Sequence, residues 1–150
     1  MFWKTYGAVV AWMFAVGTVA AGLVLFAVSL WLPPDPGEEA VIALMPFYGG
    51  FFGALTAAAA SILYAAGLML WTTADRRSPA SHAWVGALSS GIGALAFWVV
   101  FGFALSGTSG LPVWSGIGGA SAILAMLVAG PLTARAARRA DAVRRGSPES

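Results

Sequence analysis

At 150 residues, with 59% apolar and only 9% charged side chains, this chain has too little charge to cover a water-facing surface. An ordinary globular domain carries about 25% charged residues, so a soluble fold is excluded. The lack of cysteine excludes disulfides, thiolate metal sites and thiol nucleophiles.

The charges are also clustered. Lys4 stands at the start, Asp35, Glu38 and Glu39 follow a first apolar run, Asp75, Arg76 and Arg77 follow a second, and the rest begin at Arg135. Between them lie four apolar segments, 6–31, 47–72, 83–106 and 113–133, each with the roughly 20 residues that a hydrocarbon core about 30 Å thick requires. Backbone polar groups find no water in lipid, so each segment is expected to be helical. The fold class is therefore an all-α membrane protein, a bundle of four transmembrane helices in a single membrane domain, followed by a basic tail over 134–150. The first segment is too long for the apolar region of a signal peptide and is read as a retained helix.

The connections are read from turn chemistry. Pro33, Pro34 and Pro36 break the chain after the first span, because successive prolines remove backbone donors and fix φ. Residues 38–45 are expected to form a short interfacial helix ending near Pro46, which would open the second span. The segment 74–81 is a polar loop, and 106–110 is a tight turn that makes the third and fourth spans antiparallel neighbours. Past Pro131 the last helix is expected to continue, kinked, toward Arg139, with 146–150 disordered.

Orientation follows from the basic residues. The N-terminus, the second loop and the C-terminus share one side by alternation, and that side holds Lys4, Arg76, Arg77, Arg135, Arg138, Arg139, Arg144 and Arg145, which is every Lys and Arg. The opposite side holds only Asp35, Glu38 and Glu39. The positive-inside rule then places both termini in the cytoplasm of a cell that the Ala, Gly and Arg bias suggests is bacterial, hence an N-in/C-in protein of the cell inner membrane. The seven arginines are expected to contact anionic headgroups of the inner leaflet. Interfacial aromatics are expected at Trp3, Tyr6, Trp71 and Trp84 on that side, and at Trp31, Phe47, Tyr48 and Trp114 on the other. Trp12 and Trp98 fall deeper, where an indole N–H needs an acceptor.

Hydrophobicity does not pull helices together inside lipid, so close approach at small residues must contribute. The second span carries one small residue every four positions, Gly49, Gly53, Ala57, Ser61 and Ala65; the third carries Gly86, Ser90 and Ala94. These are the expected helix-packing residues, within one bundle or, alternatively, between chains. No Asp, Glu, Lys, Arg or His lies within a span, so the usual mark of an ion or proton path is missing. Thr18, Ser29, Thr56, Ser61, Tyr64, Ser89 and Ser90 are the hydroxyls at depth, and most are expected to bond back to a carbonyl of their own helix. The pair Ser89 and Ser90, beside Gly91 and Gly93, is where a local helix distortion is expected.

No catalytic, cofactor or metal residues are assigned. His82, with Met69 as a conceivable second ligand, stands alone at a span boundary, and the three carboxylates near Asp35 are read as solvated charge. The sequence points to a non-catalytic accessory or scaffold subunit acting through helix–helix contacts. The alternative is a small oligomeric permease or channel component lined by Thr56, Ser61, Ser89 and Ser90. The expected partners are the bilayer with its anionic lipids, another copy, or a membrane protein, and not nucleic acid.

Overall fold

The computed structural model describes residues 2–31, 39–72 and 78–146. These form α1 (Phe2–Trp31), α2 (Glu39–Thr72), α3 (Pro79–Ser106) and α4 (Leu111–Gly146). At 30, 34, 28 and 36 residues, and 1.5 Å per residue, they run about 42–54 Å, well past the ~30 Å of a hydrocarbon core. All four are long and apolar enough to span a membrane, as in a multi-pass membrane protein.

The sequence-derived boundaries shift at several places. Residues 39–45 are not a separate helix. They are the first turns of α2, which passes through Pro46 unbroken; Glu38 lies outside the described residues, as do 32–37 and the loop arginines Arg76 and Arg77. The expected loop over 74–81 ends earlier, because Ser78 caps α3 and Pro79 sits in its first turn, where a missing N–H costs nothing. The Ser78 hydroxyl accepts from the Ser81 N–H at 3.3 Å, and His82 Nδ1 lies 3.0 Å from the Ser78 carbonyl. His82 is thus engaged in a local cap. Helix α3 shows no break at Ser89 and Ser90, and α4 continues through Pro131 to Gly146, carrying Arg144 and Arg145 in its last turn. Residues 147–150 lie outside the described residues.

The turn between α3 and α4 is built as its sequence suggests. Gly107 adopts φ 59°, ψ −146°, a region that favours glycine, and its N–H bonds the Phe103 carbonyl at 2.9 Å. The Ser106 hydroxyl donates to the Gly102 carbonyl at 2.9 Å and accepts the Trp114 indole N–H at 3.1 Å. That second bond ties the first turn of α4 to the last turn of α3.

Sequential helices are the main neighbours. Helices α1 and α2, α2 and α3, and α3 and α4 pack along long seams, whereas α1 meets α4 over a shorter stretch and α2 barely touches α4. That shorter stretch belongs to the core cluster, in which Tyr6, Val9 and Met13 of α1 join Tyr64 and Leu68 of α2, Ala94 of α3 and Ala129 of α4, with Val128, Leu132 and Ala136 packed against them. The cluster lies toward the end of the bundle that carries Lys4 and Arg135, called here the arginine end. Tyr6, expected at the interface, is buried in this core, while Trp3, Trp31, Phe47, Tyr48 and Trp84 are exposed.

Candidate functional site

The small residues decide where helices touch. A methyl group added at Gly49 would lie 2.5 Å from the Ala21 carbonyl oxygen, and one at Gly53 would lie 2.6 Å from Ala21 Cβ and 2.7 Å from the Gly17 carbonyl oxygen. Ala57 meets Gly17 on the same line. The first three members of the α2 stripe therefore face α1, and they do so within one chain. Ser61 is buried but its hydroxyl has no hydrogen-bond partner among the described residues, contrary to the expected back-bond, and Ala65 is half-buried.

On α3, Gly86 sits under the Tyr64 ring and beside Thr133, Gly93 packs on the backbone of Ala59 and Ala60, and Ala94 is fully buried in the core. Ser90, also fully buried, returns its hydroxyl to the Ala87 carbonyl at 2.8 Å. Thr18 and Thr56 bond their i−4 carbonyls and Ser29 its i−3 carbonyl. Tyr64 departs from this pattern. Its hydroxyl spans from α2 to α4 and meets Thr133 Oγ1 at 2.9 Å, while Thr133 also donates to the Ala129 carbonyl at 2.6 Å.

Away from the arginine end α1 and α4 part, and a groove of about 490 Å³ lies between them. Met13, Gly17, Ala20 and Val24 of α1 form one wall, and Ile117, Ser121, Leu124 and Val128 of α4 form the other. Its floor is α2 and α3, through Phe52, Thr56, Ala60, Ala94 and Trp98. Of the pore-lining hydroxyls expected from the sequence, only Thr56 reaches it, and that hydroxyl is occupied by the Phe52 carbonyl at 2.8 Å. The groove is open along one side and lined mainly by apolar side chains.

An aromatic cluster stiffens the floor. Trp98 stacks on Trp114 with centroids 5.6 Å apart and planes 13° apart, while Phe52, Phe97 and Phe101 approach it edge-on or tilted at 5.4–6.0 Å. The acceptor expected for Trp98 is not found: it packs within this cluster, and its buried indole N–H has no hydrogen-bond acceptor among the described residues. Trp12 is instead 61% exposed on the outer face of α1.

Two features escaped the sequence reading. The groove is one. The other is a patch on α4 where Gly116 and Gly119 have nothing within 4 Å of a would-be methyl, beside exposed Ala120. Of the three glycines within 116–119 only Gly118 packs, against Leu95 and Trp98 of α3. At the arginine end, Arg135, Arg138 and Arg139 are exposed on α4, on the helix face opposite buried Thr133 and Ala137, and Lys4 is exposed on α1. Compared with protein-family models, with curated proteins and with solved structures, the chain matches none.

Proposed function

We propose that this protein is a non-catalytic accessory or scaffold subunit of a bacterial cell membrane that acts through helix–helix contacts. The observation that carries the reading is the uncovered patch Gly116, Gly119 and Ala120 on α4. Small residues four apart let a second helix approach closely in lipid, where contact must come from packing rather than from hydrophobic drive. The first three members of the α2 stripe, Gly49, Gly53 and Ala57, are taken up by α1 inside the chain, whereas the α4 patch is open to another helix.

Both termini are cytoplasmic in this reading. Lys4, Arg135, Arg138 and Arg139 share one end of the bundle, as the positive-inside rule asks of a cytoplasmic face, and each can attract anionic lipid by about 1 kcal/mol.

The test is purification of tagged protein in mild detergent, with native mass and co-purifying proteins read together, for the unmodified chain and for Gly116→Leu with Gly119→Leu. Leucine is a better helix former than glycine, so these changes block approach without weakening α4. Loss of a discrete partner or of a second copy in the variant supports the reading. A monomer in both preparations, with no partner, refutes it. The permease alternative would place a path between copies, and solute flux into liposomes by the purified protein would favour it.

A further inference from the structure

We propose that the groove between α1 and α4 is a slot for one phospholipid acyl chain, taken laterally from the leaflet opposite the arginine end. This goes beyond the scaffold reading; Ala120 borders both the patch and the groove, so the two are told apart at Gly116, which does not line the groove.

The dimensions select the occupant. The groove extends from Met13 to Leu25 along α1, a rise of roughly 18 Å. Its volume of about 490 Å³ over that length, with the radius of a filling atom added back on each side, gives a free bore of roughly 9 Å. A helix with its side chains needs about 10–12 Å. A hydrocarbon chain, whose carbons pack at about 3.5–4.0 Å from their neighbours, fits that bore. The lining is apolar apart from the hydroxyls of Thr56, which is already bonded, and Ser121, so an ordered water, which needs 2–4 polar partners, is served at one point of the groove and not along its length.

The closure of the two ends gives the direction. At the arginine end the groove stops where Met13 and Val128 join the core cluster with Val9 and Leu132. Toward the other end its walls carry Val24, Ile117 and Leu124, exposed by 61%, 39% and 42%, so a chain can enter there from the side. The floor is preformed: Phe52 and Trp98 are held by ring packing, and Trp98 leans on Trp114, itself tied to Ser106. A preformed apolar cleft of a few hundred Å³ is the usual form of a site for an apolar ligand.

The experiment uses the full chain in phosphatidylethanolamine vesicles doped with a phospholipid bearing a diazirine in one acyl chain. Irradiation is followed by peptide mapping. Labelling of the segments 13–25 and 117–128 should saturate with probe and fall on adding the same lipid without the diazirine. Filling either wall, with Ala20→Phe or Ser121→Phe, should abolish it, while labelling at lipid-facing Ile62 and Leu70 persists. Circular dichroism reports folding of each variant; if one wall variant misfolds, the other decides, and saturation in the unmodified chain needs neither. Labelling that grows in proportion to probe everywhere, or survives both substitutions, overturns the proposal. So does a groove protected from probe because a second chain cross-links into it. Gly116→Leu should leave groove labelling unchanged, which separates failure of the slot from failure of the scaffold reading.

Discussion

Replacing glycine by alanine at two positions should have opposite effects on stability, and the difference measures how closely α1 and α2 approach. At Gly53 the new methyl would lie 2.6 Å from Ala21 Cβ and 2.7 Å from the Gly17 carbonyl oxygen. Carbon contacts are best at about 3.5–4.0 Å, so the helices must separate by on the order of 1 Å, forfeiting roughly a quarter to a half of each contact along the seam. Overpacking of this kind costs about 1–3 kcal/mol. Alanine's helix propensity returns up to about 1 kcal/mol over glycine. The net expectation at Gly53 is a loss of about 0–2 kcal/mol. At Gly116 nothing lies within 4 Å, so only the propensity gain operates. Because propensity is common to both, the difference between Gly53→Ala and Gly116→Ala isolates packing at about 1–3 kcal/mol. Reversible unfolding of the two purified variants in mixed micelles reads it directly. Gly49→Ala combined with Gly53→Ala should cost less than the sum, since one separation of the axes relieves both contacts. If Gly53→Ala and Gly116→Ala are equally stable, the seam is not as close as described and the reasoning fails.

Three other expectations follow from particular contacts. A double-mutant cycle between Tyr64→Phe and Thr133→Val should give a coupling of about 0.6 kcal/mol, and no more than about 1.7, because Thr133 keeps the alternative of its own helix carbonyl; zero coupling would mean the inter-helix bond is not made. Ser106→Ala removes the acceptor of the Trp114 indole and should cost about 0.5–1.5 kcal/mol, with a change in tryptophan emission as the local readout. The chain has no cysteine, so single cysteines report sidedness cleanly. An impermeant maleimide should label Ser109→Cys in intact cells and Ser150→Cys only after permeabilisation; the reverse pattern would invert the topology.

The four spans were legible because each is a long apolar run with polar breaks between, and lipid allows an apolar run of that length only one backbone form. The continuation of α4 beyond Pro131 was legible too, from the Ala and Arg residues that follow. Partner choice was not. A spacing of four puts Gly49, Gly53, Ala57, Ser61 and Ala65 on one line, but packed helices cross at an angle, so a straight line of five cannot follow one neighbour throughout. Gly49, Gly53 and Ala57 face α1, and Ala65 is only half-buried. The expectation that Pro46 begins a helix failed for a related reason: the first turns of α2 precede it, and nothing local to residues 39–45 distinguishes a separate interfacial helix from the early turns of a longer one. The groove had no sequence signature because it is defined by which side chains do not meet.

The same helices α1 and α4 meet at one end and part at the other, and their side-chain sizes account for it. Near the arginine end the facing positions are Val9, Met13, Val128 and Leu132, bulky enough to bridge the gap between axes. Farther along, Gly17, Ala20, Ala120 and Ser121 alternate with Val16, Val24, Ile117 and Leu124 on the walls, and at the small positions the side chains reach too little to bridge it. In water such an opening would be pulled shut, because closing it would remove apolar surface from solvent. In lipid that force vanishes, since hydrocarbon is as good a neighbour as another side chain, and only packing contacts could close the walls. Small residues facing each other across 490 Å³ supply few of those contacts. Small side chains therefore do two opposite things in this protein. Where α2 has already brought its backbone against α1 they permit contact, and where no backbone follows behind them they keep a space that the bilayer fills.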